Sequence, residues 1–211
     1  TLYASGELTT KLPNSLVVMD FDNISRNPED DWIGNGVAES ISTDLSGSDG
    51  IDVTPRVKLS RLLTEQTNHD EIIDRQKLGL ALGCRWMVTG GFQKMGPSLR
   101  FTIQLNELLT DRVVLTEKVD GTVDAIFDMQ DRLADLIKGH LATSTSDSAS
   151  AVLLPEPKVQ PRPKFSAYEC YVKGRQAWLR SGKGDFDRAQ EFFEEAIEVD
   201  PEYALAFAGL A

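Results

Sequence analysis

The residue types that carry most chemistry are sparse and scattered in this chain. There are two histidines, His69 and His140, and two cysteines, Cys84 and Cys170. His69 falls in a polar loop beside Asp70 and Glu71, and His140 near a helix end, where a basic residue suits the dipole. Neither has the H-E-x-x-H spacing that puts two imidazoles on one helix face, so both read as solvated surface residues. Cys84 sits in an apolar strand pattern and reads as core. The two thiols support neither a disulfide framework nor a zinc site, and they do not fix a compartment. The nucleophile elbow G-x-S-x-G is missing, as is the phosphate loop G-x-x-x-x-G-K-[ST]. An acidic run, Asp20, Asp22, Glu29, Asp30 and Asp31, could hold a divalent cation. It lacks the D-x-[DN]-x-[DN]-G spacing of a calcium loop and reads as a solvated acidic loop. No catalytic, metal or cofactor set is expected.

One short stretch remains as a candidate ligand turn. Gly34-Asn35-Gly36 places two glycines at the start of a helix, where exposed backbone N–H groups suit an anion. A strand before it would bring the turn to the carboxyl end of a sheet. The full G-x-G-x-x-G pattern is missing and the neighbouring acids repel phosphate, so a structural turn is the favoured reading and an anion turn the alternative.

The 211 residues suffice for one sizeable domain and an appendage. Net charge is −11, from 33 acidic and 22 basic residues. This balance, with no Lys/Arg cluster, disfavours nucleic acid and anionic membranes as partners. No apolar run approaches the ~18 residues of a membrane-spanning helix.

The elements that would position any site follow from periodicity. Residues 1–14 read as a linker or edge element. Leu16 to Phe21 is a buried strand, and Asp22 to Pro28 a turn-rich segment. A helix runs from about Trp32 to Leu45, with Val37, Ile41 and Leu45 on one stripe. Ile51 to Pro55 is a second strand. A short helix and polar loop follow over 56–68, then a helix from Asp70 to Leu82, stopped by Gly83. The third strand is Cys84 to Phe92, with a bend or bulge expected at Gly90-Gly91. In the fourth, Leu99, Phe101, Ile103 and Leu105 alternate with polar residues, so one face is buried. Val113 to Val119 pairs antiparallel with it, and a helix from about Asp124 to Leu141 turns Ile126, Leu133, Ile137 and Leu141 to the sheet. Residues 143–164 are Ser- and then Pro-rich. They read as an extended spacer, although proline-rich segments also bind SH3-like modules.

Downstream, Ala189, Phe193 and Ala196 recur at helical spacing before Pro201. With Phe165–Arg180 as a first helix and Gly174 as its small residue, the pattern resembles a tetratricopeptide repeat. Phe207, Leu210 and Ala211 resemble the start of a second. The bland alternative is an ordinary amphipathic hairpin. About three repeats are needed for a solenoid core, so the chain is expected to belong to a longer protein extending past both ends.

Further residues carry a second resemblance. V-V-M-D-F-D-N-I-S, the Trp32–Leu45 helix with Gly36, L-G-C-R-W-M-V-T-G-G, L-R-F-T-I-Q-L and Ile126-Phe127-Asp128-Met129-Gln130 stand in the order of the TolB amino-terminal domain. The likeness spans residues 15–142. Met19-Asp20 replaces the Leu-Pro common in that family, and no propeller repeats follow. The resemblance implies an α/β, anticodon-binding-like fold with a mixed five-stranded sheet and packed helices. It also implies the arrangement 15–142 domain, 143–164 linker and 165–211 repeat found in bacterial signalling proteins, downstream of cyclase, kinase or transcription-factor domains. The functional expectation is a non-catalytic protein-interaction module. Phe193, Ile197, Phe207 and Leu210 form its apolar face, protein or peptide partners occupy it, and self-association is an option. The alternative is a small-molecule or nucleotide sensor at the Gly34–Gly36 turn.

Overall fold

The computed structural model describes residues 14–67, 74–145, 162–180, 182 and 184–211. The expected leading linker (all but Asn14), His69 and most of the expected 143–164 spacer lie outside these residues.

Short apolar runs become strands and amphipathic runs become helices, in the order β1 (Ser15–Val18), β2 (Asp22–Asn23), α1 (Asp31–Ser46), β3 (Asp52–Val53), α2 (Arg56–Thr67), α3 (Arg75–Ala81), β4 (Trp86–Met95), β5 (Ser98–Glu107), β6 (Arg112–Thr122), α4 (Ile126–Thr145), α5 (Phe165–Arg180), α6 (Asp185–Val199) and α7 (Ala204–Leu210). The fold is mixed α/β. The strands form one sheet in the order β3-β1-β4-β5-β6, parallel between β3, β1 and β4 and antiparallel beyond. β2 also pairs parallel with β4, through Asp22 opposite Gly91 and Asn23 opposite Phe92. β1 pairs with the preceding part of β4, at Trp86 to Val88. The turn-rich segment expected after Phe21 is therefore partly strand. β1 and β2 share one lane, so the expected five lanes hold six strands.

Alternation along the strands sends side chains to two cores. Leu16, Val18, Val88, Phe101 and Ile103 pack with Ile33, Val37 and Ile41 of α1 and Ile126, Leu133 and Ile137 of α4. Val17, Met19 and Met87 face the other way, toward Leu59 of α2 and Leu78 of α3. The first core does not stop at the α/β layers. It continues through Tyr168 and Val172 of α5 into Phe193 of α6 and Ala206 of α7.

Gly90-Gly91 makes no bulge, since β4 and β5 stay in register from Trp86–Glu107 to Met95–Ser98. Instead, a Cβ on Gly90 would sit 2.6 Å from the Phe21 ring, and one on Gly91 2.8 Å from Ile24. The glycines make a notch for the chain crossing them after β1. The sheet's irregularity falls between Leu105 and Asn106, in the β5–β6 pairing.

Candidate functional site

The Gly34-Asn35-Gly36 stretch lies inside α1, four to six residues after its N-cap Asp30, and all three residues are buried. At that depth backbone N–H groups belong to the helix ladder, and the free donors of the first turn lie upstream. A Cβ on Gly34 would be 2.0 Å from the Phe21 carbonyl oxygen, and Phe21 N–H donates to the Gly34 carbonyl at 3.2 Å. The stretch is a packing surface with no room for an anion over it.

Gly36 has a different neighbour. A Cβ there would meet the Tyr168 hydroxyl at 2.8 Å and Val172 at 3.0 Å. This is where α5 crosses α1. Tyr168 fills the crossing completely. Its hydroxyl accepts from Gln130 Nε2 at 2.8 Å and shares a hydrogen bond with Ser40 Oγ at 3.3 Å, while its ring meets Phe127 edge-on at 5.0 Å and Trp32 at 6.0 Å. Burial pushes the phenol up to about 12, against the lowering effect of those two bonds. Tyr168 is therefore a neutral anchor.

A line of alternating charge runs beside it. Arg56 donates to the Val18 carbonyl at 3.0 Å and pairs with Asp20, and its Nε lies 3.6 Å from Glu39 Oε2. Glu39 in turn accepts from Arg175 of α5 at 3.0 Å, and the Arg175 guanidinium stacks 5.4 Å from the centre of the Trp178 ring. Arg162 clamps Asp128 and Asp131 of α4. The helical part is thus docked on the α/β layers by one buried phenol and several ion pairs.

Inside the helical part, Phe193 is a wedge. A Cβ on Gly174 would lie 2.7 Å from its ring and one on Gly209 2.8 Å, so three helices close around one side chain. Phe193 was expected on an interaction face; at 2% exposure it belongs to the interior. Ile197 is half-buried against the same core. Phe207 and Leu210 do face outward, at 49% and 41% exposure, together with Trp178 and Phe186. Trp178, Phe186 and Leu210 line a groove of about 410 Å³ with Gln190 and Glu194 on its wall. Sequence reasoning missed Trp178 and Phe186. Their signal was a large apolar residue off the stripe that closes the hairpin.

Four of the five acids in the acidic run are exposed, as expected, and only Asp30 is buried. Asp20 pairs with Arg56, Asp22 with Arg75, and Asp30, itself buried, with Lys94, while Asp31 accepts from Asn23. Among the described residues no three metal-ligating side chains gather. His140 is half-buried, with its ring centre 6.5 Å from that of Trp86 in an edge-on arrangement, where a solvated residue was expected. Cys84 is buried, with Sγ 3.1 Å from Thr54 Oγ1. Burial pushes the Cys170 thiol up to about 11, and the nearby Glu195 adds to the shift. No described helix is long and apolar enough to cross a membrane.

No protein-family model matches the chain. Over 197 residues, 93% of its length, it is 27% identical to a Rhizobium meliloti (strain 1021) protein named "Putative adenylate cyclase 3", and it spans 32% of that relative. Solved structures similar in backbone include TolB from Acinetobacter baumannii, with 17% identity, 62% of this chain and 28% of that one covered, and a TM-score of 0.44. The LpoB C-terminal domain from Escherichia coli shares 13% identity over 52% of this chain and 82% of that one, at a TM-score of 0.42. The PelC dodecamer from Paraburkholderia phytofirmans shares 15% over 59% and 84%, at 0.39.

Proposed function

We propose that this chain is a non-catalytic interaction and regulatory module of a larger signalling protein. Its helical part holds a protein or peptide partner, and the α/β layers serve as the body on which that part is fixed. The observation that carries the reading is the outer groove. Its lining residues Trp178, Phe186 and Leu210 are all more than a third exposed, on one small helical unit that is docked elsewhere through Tyr168. Clustered exposed aromatics mark association surfaces. The Gly174–Phe193–Gly209 packing supports the tetratricopeptide assignment, and the Rhizobium relative's name supports a place beside a cyclase.

The test exchanges the matched segment of the Rhizobium protein for this chain and measures cyclic AMP in cells. A regulatory module sets an output different from that of the segment deletion, and Phe186→Asp moves it toward the deletion value. Equal output from graft, variant and deletion would overturn the reading.

A further inference from the structure

We propose that the cleft between α2 and the C-terminal end of α5 binds a small organic anion, an apolar body carrying one carboxylate or phosphate. This goes beyond the protein-interaction reading and uses a different surface.

Topology opens the cleft. β1 and β3 are adjacent and parallel, yet the chain leaves β1 for α1 on one face of the sheet and leaves β3 for α2 on the other. Diverging connections at the carboxyl ends of neighbouring strands leave a crevice, the place where open α/β sheets hold ligands. Asp20 follows β1, Arg56 follows β3, and Asn35 lies in α1; these three form the floor of a space of about 320 Å³. That volume matches a small metabolite.

The chemistry of the walls narrows the ligand. The Arg56 side chain is only 9% exposed, and its charge is committed to Asp20, the Val18 carbonyl and Glu39. The floor is therefore a neutralised pair. Leu59 and Leu63 of α2 and Leu179 of α5 supply apolar surface. Gln176 and Arg180 stand on either side of Leu179, on one face of α5. Neither has a hydrogen-bond or ionic partner among the described residues. Asn35, 8% exposed, makes a single side-chain hydrogen bond, to Asp20 at 3.3 Å. The site thus offers one uncompensated positive charge at its rim, two under-used amides and an apolar wall. An anion with an apolar body satisfies all of them. Because α2 belongs to the α/β layers and α5 to the helical part, such a ligand bridges the two.

The experiment titrates the full chain by calorimetry with phenyl phosphate and benzoate, which share the aryl body and differ in the anion. Inorganic phosphate supplies the anion alone and benzyl alcohol the body alone. At least one aryl anion is expected to bind saturably and more tightly than either half. Arg180→Ala should weaken it about tenfold or more and Gln176→Ala less, with Phe207→Asp leaving it unchanged. The better aryl anion identifies the headgroup. Arg180 is exposed, so its removal is compatible with folding, which the thermal midpoint checks. Absence of saturable binding by both aryl anions, or binding indifferent to Arg180→Ala, would overturn the proposal without touching the groove's role.

Discussion

Tyr168 and Gly36 form a matched pair in which one side chain exists because another is missing. Adding a methyl at Gly36 drives a carbon to 2.8 Å from the Tyr168 hydroxyl, and Gln130 and Ser40 leave the ring nowhere to go. Gly36→Ala should cost roughly 1–3 kcal/mol, the usual penalty for overpacking, read as a lower thermal midpoint. Tyr168→Phe keeps the ring and strands the buried Gln130 amide, for a loss of about 1–2 kcal/mol. If Gly36→Ala leaves the midpoint unchanged, the helix crossing is looser than described. Cys170 is only half-buried, but desolvation and the nearby Glu195 hold its thiol protonated. Iodoacetamide should leave it largely unmodified at pH 7.5 in the native protein and label it on unfolding; fast native labelling would contradict that environment.

At the scale of elements, what the sequence made legible was whatever its own periodicity encodes. The alternation from Leu99 to Leu105 places all four apolar residues in the core, and the stripe Val37, Ile41, Leu45 does the same for α1. What it hid were features made by distant partners. β2 is a two-residue strand only because β4 offers Gly91 and Phe92 beside it. The ion pairs of the acidic run depend on Arg56, Arg75 and Lys94, which arrive from other elements. Gly34 and Gly36 look like a ligand turn for the same reason: glycine tells of a close approach without saying by what. Tyr168 had no local signal as an anchor, and the cleft at the ends of β1 and β3 needed the strand order.

One charge between elements gives a pH test. Asp44 of α1 is raised above its usual 3.8, first by burial and then by Asp131 of α4, with Lys138 opposing. A carboxyl whose folded value is raised destabilises the fold when ionised, and the penalty fades as pH falls through that folded value. Asp44→Asn should therefore raise the melting temperature at pH 7, and the gain should shrink as pH falls toward the unfolded value and be gone below about pH 4. A gain that grows on acidification would reverse the assigned sign.

For the whole molecule, the non-catalytic function proposed above carries an expected null. The purified chain should not turn over nucleotides, esters or peptides, and a rate abolished by one substitution would refute this. The shared core has a mechanical counterpart. Tyr168, Arg162 and the Glu39–Arg175 pair attach the helical part to α1 and α4 without any help from peptide bonds between residues 145 and 162. A protease cut there lowers the effective concentration of one piece for the other but removes none of those contacts. The nicked protein should elute as a single species in gel filtration and separate into two only in denaturant. The two pieces, mixed after denaturant is removed, would then complement one another as a split protein does.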